Sequence, residues 1–109
     1  MVESQFVDAR GVRLHYIEGG SGDPPVVLVH GLGSTVTKWR DTLPLIASRR
    51  RTLALDLPGF GRSEAPPGRF TFGFLAGGAR AFLDALGIDR CVLVGNSLGG
   101  VASMWLAAA

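Results

Sequence analysis

Three short runs, VVLVH (Val26–His30), TLALDL (Thr52–Leu57) and CVLVGN (Cys91–Asn96), are apolar almost without interruption. A strand with one wet face alternates apolar and polar residues. A near-continuous apolar run of this length instead suits a strand covered on both faces, the ordinary condition of a parallel sheet whose crossovers place helices on either side. These runs set the expectation of an α/β fold with the three strands in the sheet interior. VRLHYI (Val12–Ile17) reads differently. Val12, Leu14 and Tyr16 alternate with Arg13 and His15, which predicts a strand with one wet face near a sheet edge, and the preceding QFVDARG supplies a first strand and a turn.

Helical spacing fills the intervals. Val36, Trp39, Leu43, Ile46 and Ala47 share one face, with Pro44 expected to kink or restart the helix. Leu75, Ala79, Phe82, Leu83 and Leu86 form a second face, closed by Gly87. Leu98, Val101, Ala102, Trp105, Leu106 and Ala109 form a third. Trp39, Trp105 and Met104 are therefore expected in core packing. The βαβαβα order predicts right-handed crossovers, and no internal repeat, linker or low-complexity segment interrupts it.

Composition narrows the function classes. With 109 residues and 18% charged side chains, the chain is the size of one domain. Its net charge of +2 is concentrated locally only at Arg49–Arg51. That cluster has no interleaved aromatics and no second basic stripe, so it reads as a solvated connection and nucleic acid is not expected as a partner. No apolar run reaches the roughly 20 residues of a membrane span, and the first ten residues lack the pattern of a secretory signal. A cytoplasmic location is the expectation. Cys91, the only cysteine, is expected to be a small core residue.

The chemistry lies in GNSLG, Gly95–Gly99, a G-x-S-x-G sequence that follows a buried-strand pattern and opens an amphipathic helix. In that context Ser97 is presented on a sharp turn at the carboxyl end of a strand. Gly95 and Gly99 leave room for neighbouring backbone. The N–H of Leu98 faces a developing oxyanion, and the loop HGLG (His30–Gly33) offers Leu32 and Gly33 as second donors.

With HGLG, DLPGFGRS (Asp56–Ser63) and GNSLGG (Gly95–Gly100) in this order, the chain resembles the N-terminal part of an α/β-hydrolase fold enzyme. The resemblance covers essentially the whole chain and implies that the third strand, Val26–His30, lies between the fourth and fifth in the sheet, and that His30 is a structural residue shaping the oxyanion loop rather than the catalytic base. It implies that Ser97 is the catalytic nucleophile. Leu98, Leu32 and Gly33 would form the oxyanion hole, while His30, Gly31, Gly95, Asn96 and Gly99 would shape the elbow and its loop. In the family pattern Asp56 and Ser63 belong to a turn-forming segment rather than to the catalytic triad; His15, from its place on the strand near the sheet edge, is expected to have a solvent-facing or packing role.

A serine alcohol needs a base and an orienting carboxylate. In this family both follow the serine, yet no histidine, aspartate or glutamate occurs after Ser97. Residues 1–109 are therefore expected to be a partial α/β-hydrolase domain, truncated after the elbow helix and lacking the C-terminal strands, the cap, the triad acid and the histidine. Alone it is expected to be inactive and marginally stable, with an exposed sheet edge able to self-associate. Gly73, Gly77 and Gly78 weaken the second helix further. For the complete protein the resemblance implies an acyl-serine hydrolase of small-molecule carboxylic esters, requiring no metal or organic cofactor. Serine at the elbow argues against the dehalogenase and epoxide hydrolase branches, which use aspartate there. Two readings stand beside the esterase: a carbon–carbon bond hydrolase of aromatic ring-fission products, and a non-catalytic small-molecule-binding protein on the same fold.

Overall fold

The computed structural model of the chain describes residues 2–31, 34–66, 71–96, 103, 104 and 107. It opens with a hairpin of β1 (Val2–Ala9) and β2 (Val12–Gly19), antiparallel and in a register that pairs Ala9 with Val12. The connecting Arg10 and Gly11 both have positive φ, 54° and 85°. Such a two-residue turn matches the right-handed twist of the strands it joins. Asp8 Oδ1 supports it by accepting the Gly11 N–H at 2.7 Å.

The remaining strands are the three apolar runs: β3 (Val26–Val29), β4 (Thr52–Leu55) and β5 (Val92–Gly95). β3 pairs in parallel with β4 on one side and with β5 on the other, while β4 also pairs antiparallel with β2. The sheet order is β1-β2-β4-β3-β5, with β3 between β4 and β5 as the family resemblance implies. β5 pairs only with β3 among the described residues, and its Val92 and Val94 are exposed.

Both faces of the inner strands are covered. On one, Leu14, Tyr16, Val27, Val29, Leu53 and Leu55 pack with α2 (Phe72–Ala85) through Leu75, Ala79, Phe82 and Leu83. Phe82 is wholly buried and meets the Tyr16 ring edge-on at 5.1 Å. Burying a side chain of that size stabilises the fold by about 2–3 kcal/mol. On the other face, Val26, Leu28 and Ala54 pack with Val36, Trp39 and Leu43. This two-sided cover is what allows the β3 and β4 runs to be apolar throughout.

The first helical pattern is split. A 3₁₀ turn at Val36–Trp39 is capped by the Thr35 hydroxyl, and α1 (Thr42–Ala47) follows Asp41. The break precedes Pro44, which lies in the first turn of α1, where its missing N–H would have no helical partner anyway. α2 is capped by Thr71, whose side chain accepts the Phe74 N–H at 3.0 Å, and its C-cap Leu86 is followed by Gly87 with φ 68°. The six residues of the third pattern, Leu98, Val101, Ala102, Trp105, Leu106 and Ala109, lie outside the described residues; Ser103, Met104 and Ala107 between them are helical.

Four sequence expectations are corrected. His15 does not face solvent: the segment after β3 and the loop after β4 cover its face, leaving it 3% exposed, although β2 lies one strand in from the sheet edge as expected. Met104 is 68% exposed rather than in the core. Arg51 is not simply solvated, because its Nε lies 2.5 Å from Glu18 Oε2 in a half-buried ion pair. Gly78 is more than a weak point in α2, since a Cβ there would collide with the Pro58 ring. Its glycine lets the helix approach the loop after β4. Trp39 is buried in the core as expected, and Cys91 packs half-buried at the rim of the larger cluster.

Candidate active site

In a parallel sheet, ligand sites form beyond the carboxyl ends of the strands. Here those ends carry His30 after β3, Asp56 after β4 and Asn96 after β5. The parallel register aligns Val29 with both Leu55 and Gly95. The Asn96 N–H continues the ladder by donating to the Val29 carbonyl at 3.1 Å. The chain therefore enters the G-x-S-x-G sequence directly beside the start of HGLG. Ser97, Leu98 and Gly99, with Leu32 and Gly33, lie outside the described residues.

His30 is fully buried and both ring nitrogens are engaged by backbone. The Leu57 N–H donates to Nε2 at 3.0 Å, so Nε2 is an acceptor and Nδ1 carries the hydrogen. Nδ1 donates to the Gly31 carbonyl at 2.7 Å. Burial pushes the imidazole below the usual histidine range; the Gly31 carbonyl and the charge of Asp56 oppose that shift with smaller effects. A neutral ring with no free nitrogen cannot take a proton from a nucleophile without first breaking one of these bonds. The Phe60 ring packs edge-on against it at 5.4 Å.

Asp56 is 1% exposed and joins three segments, β2, the segment after β3 and the loop after β4. Its Oδ1 accepts the Val36 N–H at 2.8 Å, and its Oδ2 accepts the Arg62 N–H at 3.1 Å and lies 2.7 Å from His15 Nδ1. A Cβ at Gly61, where φ is 55°, would overlap this carboxyl group. Ser63 closes the arrangement: its hydroxyl donates to the Asp56 carbonyl at 2.6 Å and accepts the His15 N–H at 2.8 Å. With its charge committed to these partners, Asp56 organises the loops rather than facing a cleft. The sequence assigns Asp56 and Ser63 to a turn, but no local spacing announces their link to His15, which is 41 residues from Asp56 along the chain. Ser4, whose Oγ lies 2.6 Å from His15 Nε2, has no sequence signal either.

Among the described residues no group of three or more histidine, cysteine, aspartate or glutamate side chains is placed to hold a metal ion. No helix among them is long and apolar enough to cross a membrane.

The strand order and the aligned carboxyl ends converge with direct comparison, in which the alpha/beta hydrolase fold family matches residues 24–109. The chain belongs to this family. Among curated proteins, it is 36% identical over 103 residues to the dihydrolipoyllysine-residue acetyltransferase component of the acetoin cleaving system of Cupriavidus necator, covering 94% of this chain and 28% of that protein. Epoxide hydrolase VrEH1 from Vigna radiata superposes with a TM-score of 0.90 at 32% identity, covering 98% of this chain and 34% of that one. A serine hydrolase involved in carbazole degradation, CarC, gives a TM-score of 0.91 at 33% identity, covering 98% of this chain and 43% of that one. The chain thus spans about a third of the length of the proteins it matches.

Proposed function

We propose that the chain forms the nucleophile-bearing portion of a serine hydrolase acting on carboxylic esters of small molecules. Ser97 is the nucleophile. The N–H groups of Leu98 and of Leu32 or Gly33 stabilise the oxyanion, and His30, Gly31, Gly95, Asn96 and Gly99 shape the loops that hold them. The observation that carries the reading is the alignment of Gly95–Asn96 with Val29–His30 at the ends of paired parallel strands, which brings the serine sequence beside its candidate oxyanion loop.

The hydroxyl oxygen would attack the ester carbonyl, with its proton passing to a base. The alkoxide or alcohol leaves, and water then cleaves the acyl-serine. His30 does not supply the base, because both its nitrogens are occupied. No histidine or carboxylate follows Ser97 in the 109 residues, so none of the residues after the elbow is assigned as its base or orienting acid. The mechanism requires neither metal nor organic cofactor. Similarity to an epoxide hydrolase does not favour epoxide opening here, since the elbow carries a hydroxyl rather than a carboxylate nucleophile.

A second reading, hydrolysis of a carbon–carbon bond in an aromatic ring-fission product, is favoured by the GNSLGG elbow together with the similarity to the carbazole-degradation serine hydrolase. It uses the same serine and hole.

The test is a chimera in which residues 1–109 replace the matching segment of that serine hydrolase. Fluorophosphonate labelling should map to Ser97, and Ser97→Ala should abolish the adduct at that position and lower turnover by about 10³-fold or more. Turnover of a folded chimera that is indifferent to Ser97→Ala overturns the proposal. A higher kcat/KM for ring-fission dienoates than for p-nitrophenyl esters selects the second reading.

A further inference from the structure

Ser4, His15 and Asp56 are joined by two short hydrogen bonds, Ser4 Oγ to His15 Nε2 at 2.6 Å and His15 Nδ1 to Asp56 Oδ2 at 2.7 Å. The tautomer follows from the carboxylate. Both oxygens of Asp56 already accept backbone N–H groups, from Val36 and Arg62, so the bond to the imidazole is donated by Nδ1–H. In the neutral imidazole that leaves Nε2 as the acceptor of the Ser4 hydroxyl. Hydroxyl, Nε2, Nδ1 and carboxylate follow one another in the order that activates a serine in Ser-His-Asp hydrolases.

Three further observations bear on reactivity. Ser4 is exposed on β1, while His15 and Asp56 behind it are 3% and 1% exposed, so the hydroxyl is reachable and its base and orienting acid are shielded. Arg62 Nη1 lies 3.3 Å from Ser4 Oγ, placing a cation beside the oxygen that would attack. The guanidinium groups of Arg62 and Arg13 both lie over the Phe6 ring, at 5.1 and 4.0 Å, which localises positive charge at this face. The cluster is separate from the G-x-S-x-G elbow, since β4 and β3 stand between β2 and β5.

From this geometry we infer that Ser4 is a second acylatable nucleophile, activated by His15 and oriented through Asp56, whose substrates are small activated carboxylic esters. Ser4 Oγ bonds to the carbonyl carbon as its proton passes to His15 Nε2, and the oxyanion is balanced by the Arg62 guanidinium. Collapse breaks the bond to the leaving alcohol or phenol, which departs with the proton from Nε2. Water, deprotonated by Nε2, then releases the acid and restores Ser4. A single exposed guanidinium in place of paired backbone donors confines the reaction to esters with good leaving groups. The inference is independent of the role of Ser97.

The test uses the Ser97→Ala chain and a fluorophosphonate probe, whose P–F bond breaks as a stable Ser Oγ–P bond forms. The adduct is mapped in the peptide Met1–Arg10. Ser21 and Ser48 are exposed serines of the same molecule and serve as internal references. General-base assistance predicts that Ser4 reacts about 100-fold faster than either. Ser4→Ala should remove the adduct together with the residual p-nitrophenyl acetate hydrolysis. Arg62→Gln, at an exposed side chain, should slow adduct formation about 10-fold with an unchanged circular dichroism spectrum. Ser4 labelling no faster than that of Ser21 and Ser48 in the folded chain overturns the inference, as does p-nitrophenyl acetate hydrolysis that survives Ser4→Ala undiminished.

Discussion

The Leu57 backbone N–H donates to Nε2 of His30 at 3.0 Å, so the ring is held neutral between the loop after β3 and the loop after β4. The hydrogen on Nδ1 is directed to the Gly31 carbonyl. One imidazole thus links two loops at the carboxyl edge of the sheet through backbone groups alone.

His30→Ala should destabilise the chain by about 3 kcal/mol, combining a buried Leu57 N–H left without its acceptor and the cavity from the lost ring. Urea denaturation at pH 7.5 would measure it. Because burial lowers the folded-state pKa below its unfolded value near 6.5, the unfolded chain binds the extra proton first. The contribution is therefore present above pH 6.5 and is lost as the pH falls through the folded-state pKa, with a slope of at most about 1.4 kcal/mol per pH unit. Comparing urea midpoints of the parent chain and His30→Asn between pH 7.5 and 5 isolates this slope, which the variant should lack.

Asp56→Asn should be more damaging than its near-isosteric size suggests. The amide keeps one acceptor oxygen but directs N–H groups at donors, whether at Val36 or at Arg62 and His15. A loss of about 3–5 kcal/mol is expected from breaking a buried charged network on one side. The check is chemical denaturation beside Asp8→Asn, an exposed carboxylate, which should cost much less.

Two adjacent glycines of α2 should respond with opposite signs. Gly77 faces open space, so Gly77→Ala should stabilise the helix by about 0.5–1 kcal/mol. A methyl at Gly78 meets the Pro58 ring, and Gly78→Ala should destabilise by about 1–3 kcal/mol through displacement of the helix from the loop. Thermal unfolding of the two single variants measures both.

The half-buried Arg51–Glu18 pair ties the end of the basic cluster to β2. A double-mutant cycle with Arg51→Ala and Glu18→Ala should return a coupling of about 0.5–1 kcal/mol, falling in 0.5 M salt. A coupling near zero would mean that Arg51 acts through its aliphatic stem.

The sheet interior was readable because covering both faces leaves a direct trace in composition: Val26–Val29 and Thr52–Leu55 carry almost nothing polar. The order β4-β3-β5 was readable only through the family resemblance, since apolar runs do not say which neighbours they choose. What the residues concealed is how the polar groups meet. Alternation along β2 puts Arg13, His15 and Ile17 on one face, but it cannot say that the segment containing Val36 and the loop containing Ser63 will cover that face. The hydrogen bonds of Asp56 to His15 and Val36 span 41 and 20 residues. Neither separation is helical or strand-like, so no periodic pattern points to them. Glycine content in α2 likewise reads as a helix weakness until the position of Pro58 is known.

The placement of β3 between β4 and β5 also orders events during synthesis. Val26–Val29 is made before either of its partners, and the second, Val92–Gly95, follows roughly 60 residues later. At about 10 residues per second a ribosome needs on the order of 6 s to cover that interval. Throughout it, the most apolar strand of the sheet has at least one open flank. A nascent chain of this topology is therefore most vulnerable to a wrong partner in the interval between β3 and β5, and the strand that closes the second flank of β3 emerges well after the one that closes the first.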